Sequence, residues 1–314
     1  MSTIAWCFCC YIIFYIPLIW LSNSSSLPPL SILPVSTAVS CIAATVITLG
    51  TGWWRSWLAD KEAAKAALQA SPFTACVLSF VPLAYAIAPP NAILSTLSTM
   101  KAGSLLVSVP KAITGASAST RIKISVGACI VAILMGVLGK LFDIHDHRLV
   151  WKGVVIGFSL AGQVVAFLYM GAYTGRLHFM GTHKKSIAFF SLEHLAAPFI
   201  AITIIALAAP FVPSLALGFK LWGNWKLWAL GGCSQFVGLA GGWILVGKQL
   251  SSVAMVLNRS AAVLAGVTLT LLQSYQKGFN AHTVFELASA GVVLTVLAAL
   301  PSDGKQPPTF ASVR

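Results

Sequence analysis

The sequence predicts an all-α polytopic membrane protein: ten transmembrane helices arranged as two inverted five-helix repeats. Three observations lead to the membrane class and the span count. Of 314 residues, 58% are hydrophobic and only 9% are charged. A soluble domain carries about 25% charged residues, so this chain has too little charge to cover a water-facing surface. Mean hydropathy is +0.87 over the whole chain, with no polar stretch long enough for a separate soluble domain. Apolar runs also recur at the ~20-residue length that a helix needs to cross a bilayer.

By that ruler the spans fall near 3–22, 32–52, 72–90, 92–113, 122–142, 150–173, 186–208, 227–247, 250–273 and 282–300. The first has no basic stretch before it and runs too long for a signal peptide, so it reads as a retained helix. The fourth and ninth each contain one cation, Lys101 and Arg259. The fifth ends in Asp143-Ile144-His145-Asp146-His147, which has metal-ligand residue types packed too densely for one helical face; it reads as a hydrated loop between repeats. The seventh carries Glu193 and His194, and Pro198 and Pro210 bend or end it. The eighth is the least sharply bounded, because residues 210–228 mix Pro, Gly and Lys with apolar residues. Its Gly231, Gly232, Gly238, Gly241 and Gly242 make it smooth, suiting close packing or bending. Asp60, Glu62, Asp143, Asp146 and Asp303 read as loop or tail residues, with Glu286 near the outer end of the tenth span.

Lys and Arg orient the spans, since cytoplasmic loops carry their excess. With a cytosolic N-terminus, the inner side holds Arg55, Lys61, Lys65, Arg121, Lys123, Arg176, Lys184, Lys185, Lys248, Lys305 and Arg314. The outer side holds Lys140, Arg148, Lys152, Lys220, Lys226 and Lys277. Both termini are therefore expected in the cytosol. These topology signals account for most of the +13 net charge, and no aromatic-interleaved basic patch points to nucleic acid. The seven cysteines lie in apolar spans without zinc-site spacing and read as small buried hydrophobes. Asn23-Ser24-Ser25 is a glycosylation sequon placed very close to the membrane.

A cation inside the bilayer costs at least a few kcal/mol and marks a functional site by default. Ten short-looped helices divide into five and five, residues 1–145 and 146–314, and an odd number per half inverts the second. Substrate sites of such repeats lie near the midplane. Aligned on the cations, Lys101-Ala102-Gly103-Ser104 matches Arg259-Ser260-Ala261-Ala262, with small residues that let helices approach. The alternative is structural pairing with a buried acid, but only Glu193 lies well inside a span. Two cations with one acid between them favour an anion site.

At these residues the chain resembles the nucleotide-sugar transporter and triose-phosphate translocator branch of the drug/metabolite transporter superfamily. Thr99-Met100-Lys101-Ala102-Gly103 resembles the translocators' fourth-helix run. Ser252-Val253-Ala254, followed after four residues by Arg259, is similar to their ninth-helix element. Leu257-Asn258-Arg259 is similar to the end of the Gly-Ala-Leu-Asn-Lys element of GDP-mannose transporters. The resemblance implies a ten-helix fold with alternating access, in which Lys101 and Arg259 grip substrate phosphate. The chain departs from it in having Asn258 where the translocators have Lys, and Phe190-Ser191-Leu192-Glu193 where the GDP-mannose branch has Phe-Tyr-Asn-Asn.

The expected function is therefore an antiporter of a phosphate-bearing metabolite, a nucleotide-sugar first, in the Golgi or another endomembrane. Expected substrate-binding residues are Lys101, Arg259, Asn258, Glu193, His194, Tyr169 and Gln163. Tyr173, Gln235 and Tyr85 are further polar residues within spans, each able instead to make an interhelical hydrogen bond. Partners are the anionic substrate and the lipid bilayer, with a homodimer possible and no nucleic acid. No cofactor, metal or enzymatic activity is expected, since the paired Asp-rich motifs of a prenyltransferase are missing. The alternatives are an exporter of uncharged or zwitterionic solutes with the same fold and, further off, a membrane-embedded enzyme.

Overall fold

The computed structural model describes residues 3–88, 97, 153–158, 183–246 and 251–278, with isolated positions between 283 and 291. Lys101, Gln163, Tyr169, Tyr173, the Asp143–His147 run and most of the spans expected over 92–173 and 282–300 lie outside them. The described residues form helices and turns without a strand. The elements are α1 (Thr3–Asn23), a 3-10 turn (Pro29–Ile32), α2 (Leu33–Thr51), α3 (Trp54–Ala59), α4 (Lys61–Ile87), α5 (His183–Ala208), α6 (Pro213–Gly218), α7 (Trp225–Val246) and α8 (Ser251–Lys277). Among the described residues, four stretches are long and apolar enough to cross a membrane: Ala5–Asn23, Pro29–Thr51, Lys61–Ile87 and Ile187–Ala208. This is an all-α membrane protein.

Local chemistry explains the ends. Gly52 closes α2 in the left-handed region (φ 69°) and sends its N–H to the Leu49 carbonyl, a conformation only glycine adopts cheaply. The stretch expected as a loop before the third span is helical instead. Asp60, expected in that loop, is the N-cap of α4 and accepts the Ala63 N–H at 3.0 Å. Glu62 lies in the first turn, where a negative charge suits the helix dipole. The sequence Lys61–Ala70 is too polar for the apolar ruler, yet rich in alanine and other strong helix formers, so α4 begins eleven residues before the expected start of that span. The mixed stretch 210–228 resolves into short α6 and a turn before α7.

Side-chain pairs fix the helix directions. Tyr11 of α1 meets Gly241 of α7 while Phe14 stacks on Phe236 at 4.8 Å, so α1 and α7 are antiparallel. Ser36 and Val39 of α2 meet Gly231, and Trp53 meets Trp243 at 5.6 Å, so α2 and α7 run the same way. Ala63, Ala67 and Ala70 cluster with Ala188 and Phe189, and Ala75 further on with Ala197 and Ala201, so α4 and α5 are parallel. Asn23 at the end of α1 donates to the carbonyls of Tyr85 (2.9 Å) and Ala88 (2.7 Å) at the end of α4. Those bonds occupy the amide of the sequon Asn23-Ser24-Ser25 and tie it to the protein rather than to a glycan.

These directions sort the tryptophans to two ends. Trp6, Trp53, Trp54, Trp57 and Trp243 gather at the end where α1 begins; Trp20, Trp222, Trp225 and Trp228 gather at the other. Such girdles mark membrane–water interfaces. From Trp225 to Trp243, α7 rises about 27 Å at ~1.5 Å per residue, close to the ~30 Å of a hydrocarbon core. The exposed apolar side chains between the girdles, among them Ile13, Ile42, Val46, Ile204 and Phe236, face lipid.

Candidate functional site

Helix α5 lies between α4 and α7 and turns a different residue to each. Phe189 joins Ala63, Ala67 and Ala70 of α4 in a tight alanine-lined contact. Phe190 packs where a side chain at Gly242 of α7 would stand. The next turn carries Glu193 and His194. The Thr74 hydroxyl of α4 donates to Glu193 Oε1, and the carboxyl is buried. Nδ1 of His194 lies 3.2 Å from the Phe190 carbonyl and 3.8 Å from Glu193 Oε2, with the imidazole tilted at 48° to the Phe190 ring, centroids 3.9 Å apart. Nε2 of His194 lies against Gly238 of α7, 3.0 Å from where a Cβ would sit. Among the described residues no Lys or Arg pairs with Glu193.

Proline adds an acceptor at the same depth. Pro198 lies inside α5 and has no N–H, so the His194 carbonyl four residues back loses its helical donor. In an apolar surround such a group seeks another partner, which is how bundles place polar backbone at a site.

Helix α7 supplies the opposing wall. At about 100° per residue, Gly231, Gly238 and Gly242 fall within an arc of ~60° together with Gln235. A Cβ at Gly231 would strike the Ser36 carbonyl of α2, and Ser40 Oγ donates to the Gly231 carbonyl at 2.9 Å. This face therefore meets α2 at one end and α5 at the other. Gln235, between them, is 1% exposed, and neither its Oε1 nor its Nε2 has a hydrogen-bond partner. Leaving a buried amide unsatisfied costs about 1–3 kcal/mol.

Asn258 of α8 closes the other side. It is buried and donates to the Gly241 carbonyl at 3.2 Å, next to the Tyr11 ring. Tyr11 stacks on Tyr15, whose hydroxyl meets that of Tyr85 at 3.0 Å. Arg259 follows Asn258 in the helix, its side chain outside the described residues. Its backbone is thus level with Gly241, about 3 Å along the axis from the Trp243 girdle.

Of the expected residues, His194 and Asn258 converge on α7 through α5 and α8, while Glu193 turns to Thr74 of α4. Lys101, Gln163 and Tyr169 lie outside the description. Tyr85 makes an interhelical hydrogen bond. Thr74 and Tyr11 were not singled out in the sequence: Thr74 is one hydroxyl in an apolar run, whereas Tyr11 and Tyr15, four apart on the first span, were a readable signal. Measured from the Trp243 end, Asn258, His194 and Gln235 sit at the depths of Gly241, Gly238 and the middle of α7, a polar track descending into the bundle. Chemically it offers hydrogen bonds in both senses, with the Glu193 carboxyl beside it on the α4 side of α5.

No protein-family model and no curated protein matches the chain. A solved structure described only as a crystal structure of a protein is similar over 96% of this chain and 99% of that one, with a TM-score of 0.55 and 13% identity. At that identity the likeness is one of overall fold.

Proposed function

We propose that the protein is a secondary transporter that exchanges a phosphate-bearing metabolite, with a nucleotide-sugar as the leading class, by alternating access in an endomembrane such as the Golgi. The observation that carries this reading is the polar track of Asn258, His194 and Gln235 inside a membrane bundle, with Arg259 next to Asn258 in α8. Asn258 and His194 bond backbone carbonyls, but the Gln235 amide has no partner, and such a buried group is costly to keep unless something else uses it.

The helix pairing supports the repeat behind this reading. If α2 and α5 are equivalent, and α4 and α7 likewise, a two-fold axis exchanges the α2–α7 contact with the α4–α5 contact. Both contacts are extensive, and each carries a polar link, Ser40 to Gly231 and Thr74 to Glu193. The chain leaves α4 at one end of the bundle and enters α5 at the other, as an odd number of intervening spans requires. Arg55, Lys61 and Lys65 gather at the end where α1 begins, which supports a cytosolic N-terminus.

In this mechanism phosphate is drawn to Lys101 and Arg259, and the rest of the cargo meets the uncharged track. Two facing cations without cargo repel, which disfavours reorientation and couples movement to exchange. A second reading, export of uncharged or zwitterionic solutes, is favoured by the absence of cationic groups along the described track. A thermal-stability screen of the purified protein separates the two, because a ligand held only by the folded state raises its unfolding temperature. Stabilisation by nucleotides or sugar phosphates is expected; stabilisation by amino acids or other uncharged solutes alone selects the second reading.

A further inference from the structure

We infer that Gln235 is a specificity position, presenting a donor and an acceptor side by side to an uncharged group of the cargo. The inference rests on the transport reading and extends it from the charge of the cargo to its neutral part. Both polar atoms of Gln235 are buried without a partner, alone among the described buried side chains in having a donor and an acceptor both unused. The side chain lies midway between the tryptophan girdles, where bulk water does not reach and only a cavity or a ligand can satisfy an amide. The α2 hydroxyls that pack on this face of α7 have spent their protons elsewhere: Ser36 Oγ donates to the Ile32 carbonyl at 2.6 Å and Ser40 Oγ to the Gly231 carbonyl at 2.9 Å.

The surrounding helix favours the same use. Gln235 shares its face of α7 with Gly238, whose missing side chain leaves His194 Nε2 close to the backbone one turn away. A group that fills space at this junction is better made of Leu or Met; an amide adds only hydrogen-bonding capacity. A bidentate amide suits a complementary donor–acceptor pair, the edge of a nucleobase or neighbouring sugar hydroxyls. A site built to bond such a pair rejects analogues lacking it more sharply than an apolar pocket does.

The test compares the full-length wild type with Gln235→Leu and Gln235→Met in detergent. Unliganded unfolding temperature is measured first, then affinities for a panel of nucleoside diphosphate sugars, inorganic pyrophosphate, nucleosides and free sugars. Both variants are expected to unfold no earlier than wild type, to lose at least about tenfold in affinity for the preferred nucleotide-sugar, and to bind pyrophosphate as before. Competition by nucleosides assigns the contact to the base; competition by free sugars assigns it to the hydroxyls. Unchanged affinity and ranking in both variants would overturn the inference, as would earlier unfolding with unchanged affinity, which marks a packing role. If only uncharged compounds bind wild type and the variants lose them, the phosphate reading fails while the role of Gln235 stands. If nothing in the panel binds, both fail.

Discussion

Glu193 is the residue on which the chemistry of the bundle interior turns. A carboxyl inside an apolar bundle needs hydrogen-bond donors, and the described donor is the Thr74 hydroxyl across the α4–α5 contact. Thr74→Val keeps the shape of the side chain and removes that donor. We expect a loss of about 1–3 kcal/mol in unfolding free energy, as for other buried acceptors left unpaired. Adding Glu193→Leu to Thr74→Val should recover most of it, because both polar partners are then gone; equal stability of Thr74→Val and wild type would show the bond to be idle. The sequence pointed to Glu193 and His194 because charged and titratable side chains are rare in such a span. It could not point to Thr74 or to the unpartnered state of Gln235. A hydroxyl or amide in an apolar run gains meaning only from what faces it, and that is set by how the helices pack.

Among the elements, α7 shows how spacing becomes contact. Two adjacent glycines have opposite surroundings: a Cβ at Gly231 would strike the Ser36 carbonyl, whereas one at Gly232 meets nothing within 4 Å. Gly231→Ala must push α2 away and should cost about 1–3 kcal/mol. Gly232→Ala should be neutral or stabilise by up to about 1 kcal/mol through helix propensity alone. Chemical unfolding of the pair checks this, and equal destabilisation of both would contradict the packing described for α7. The smoothness of this helix was legible as a run of glycines; which of them touches a neighbour was not. The start of α4 was misread for a related reason. An alanine-rich amphipathic stretch forms helix through propensity and its Asp60 cap, neither of which an apolar-length ruler registers.

At the scale of the whole molecule, the membrane class follows from composition, and the girdles of tryptophan give it a thickness. The depth of the site emerged only from the packing. Sequence spacing set Arg259 within an apolar span, while the Asn258–Gly241 contact sets its backbone near one girdle, with the uncharged track leading inward. In the transport mechanism proposed above, cargo would be captured by its anionic end near Arg259 and sorted by its neutral one at mid-depth. The central claim is that Lys101 and Arg259 together hold the cargo's phosphate. Exchange of nucleotide-sugars in proteoliposomes, for wild type and for Lys101→Ala and Arg259→Ala variants that unfold at the same temperature, tests it most directly. Each substitution should lower exchange by at least about tenfold, equivalent to ~1.4 kcal/mol; wild-type rates in both variants would contradict the account.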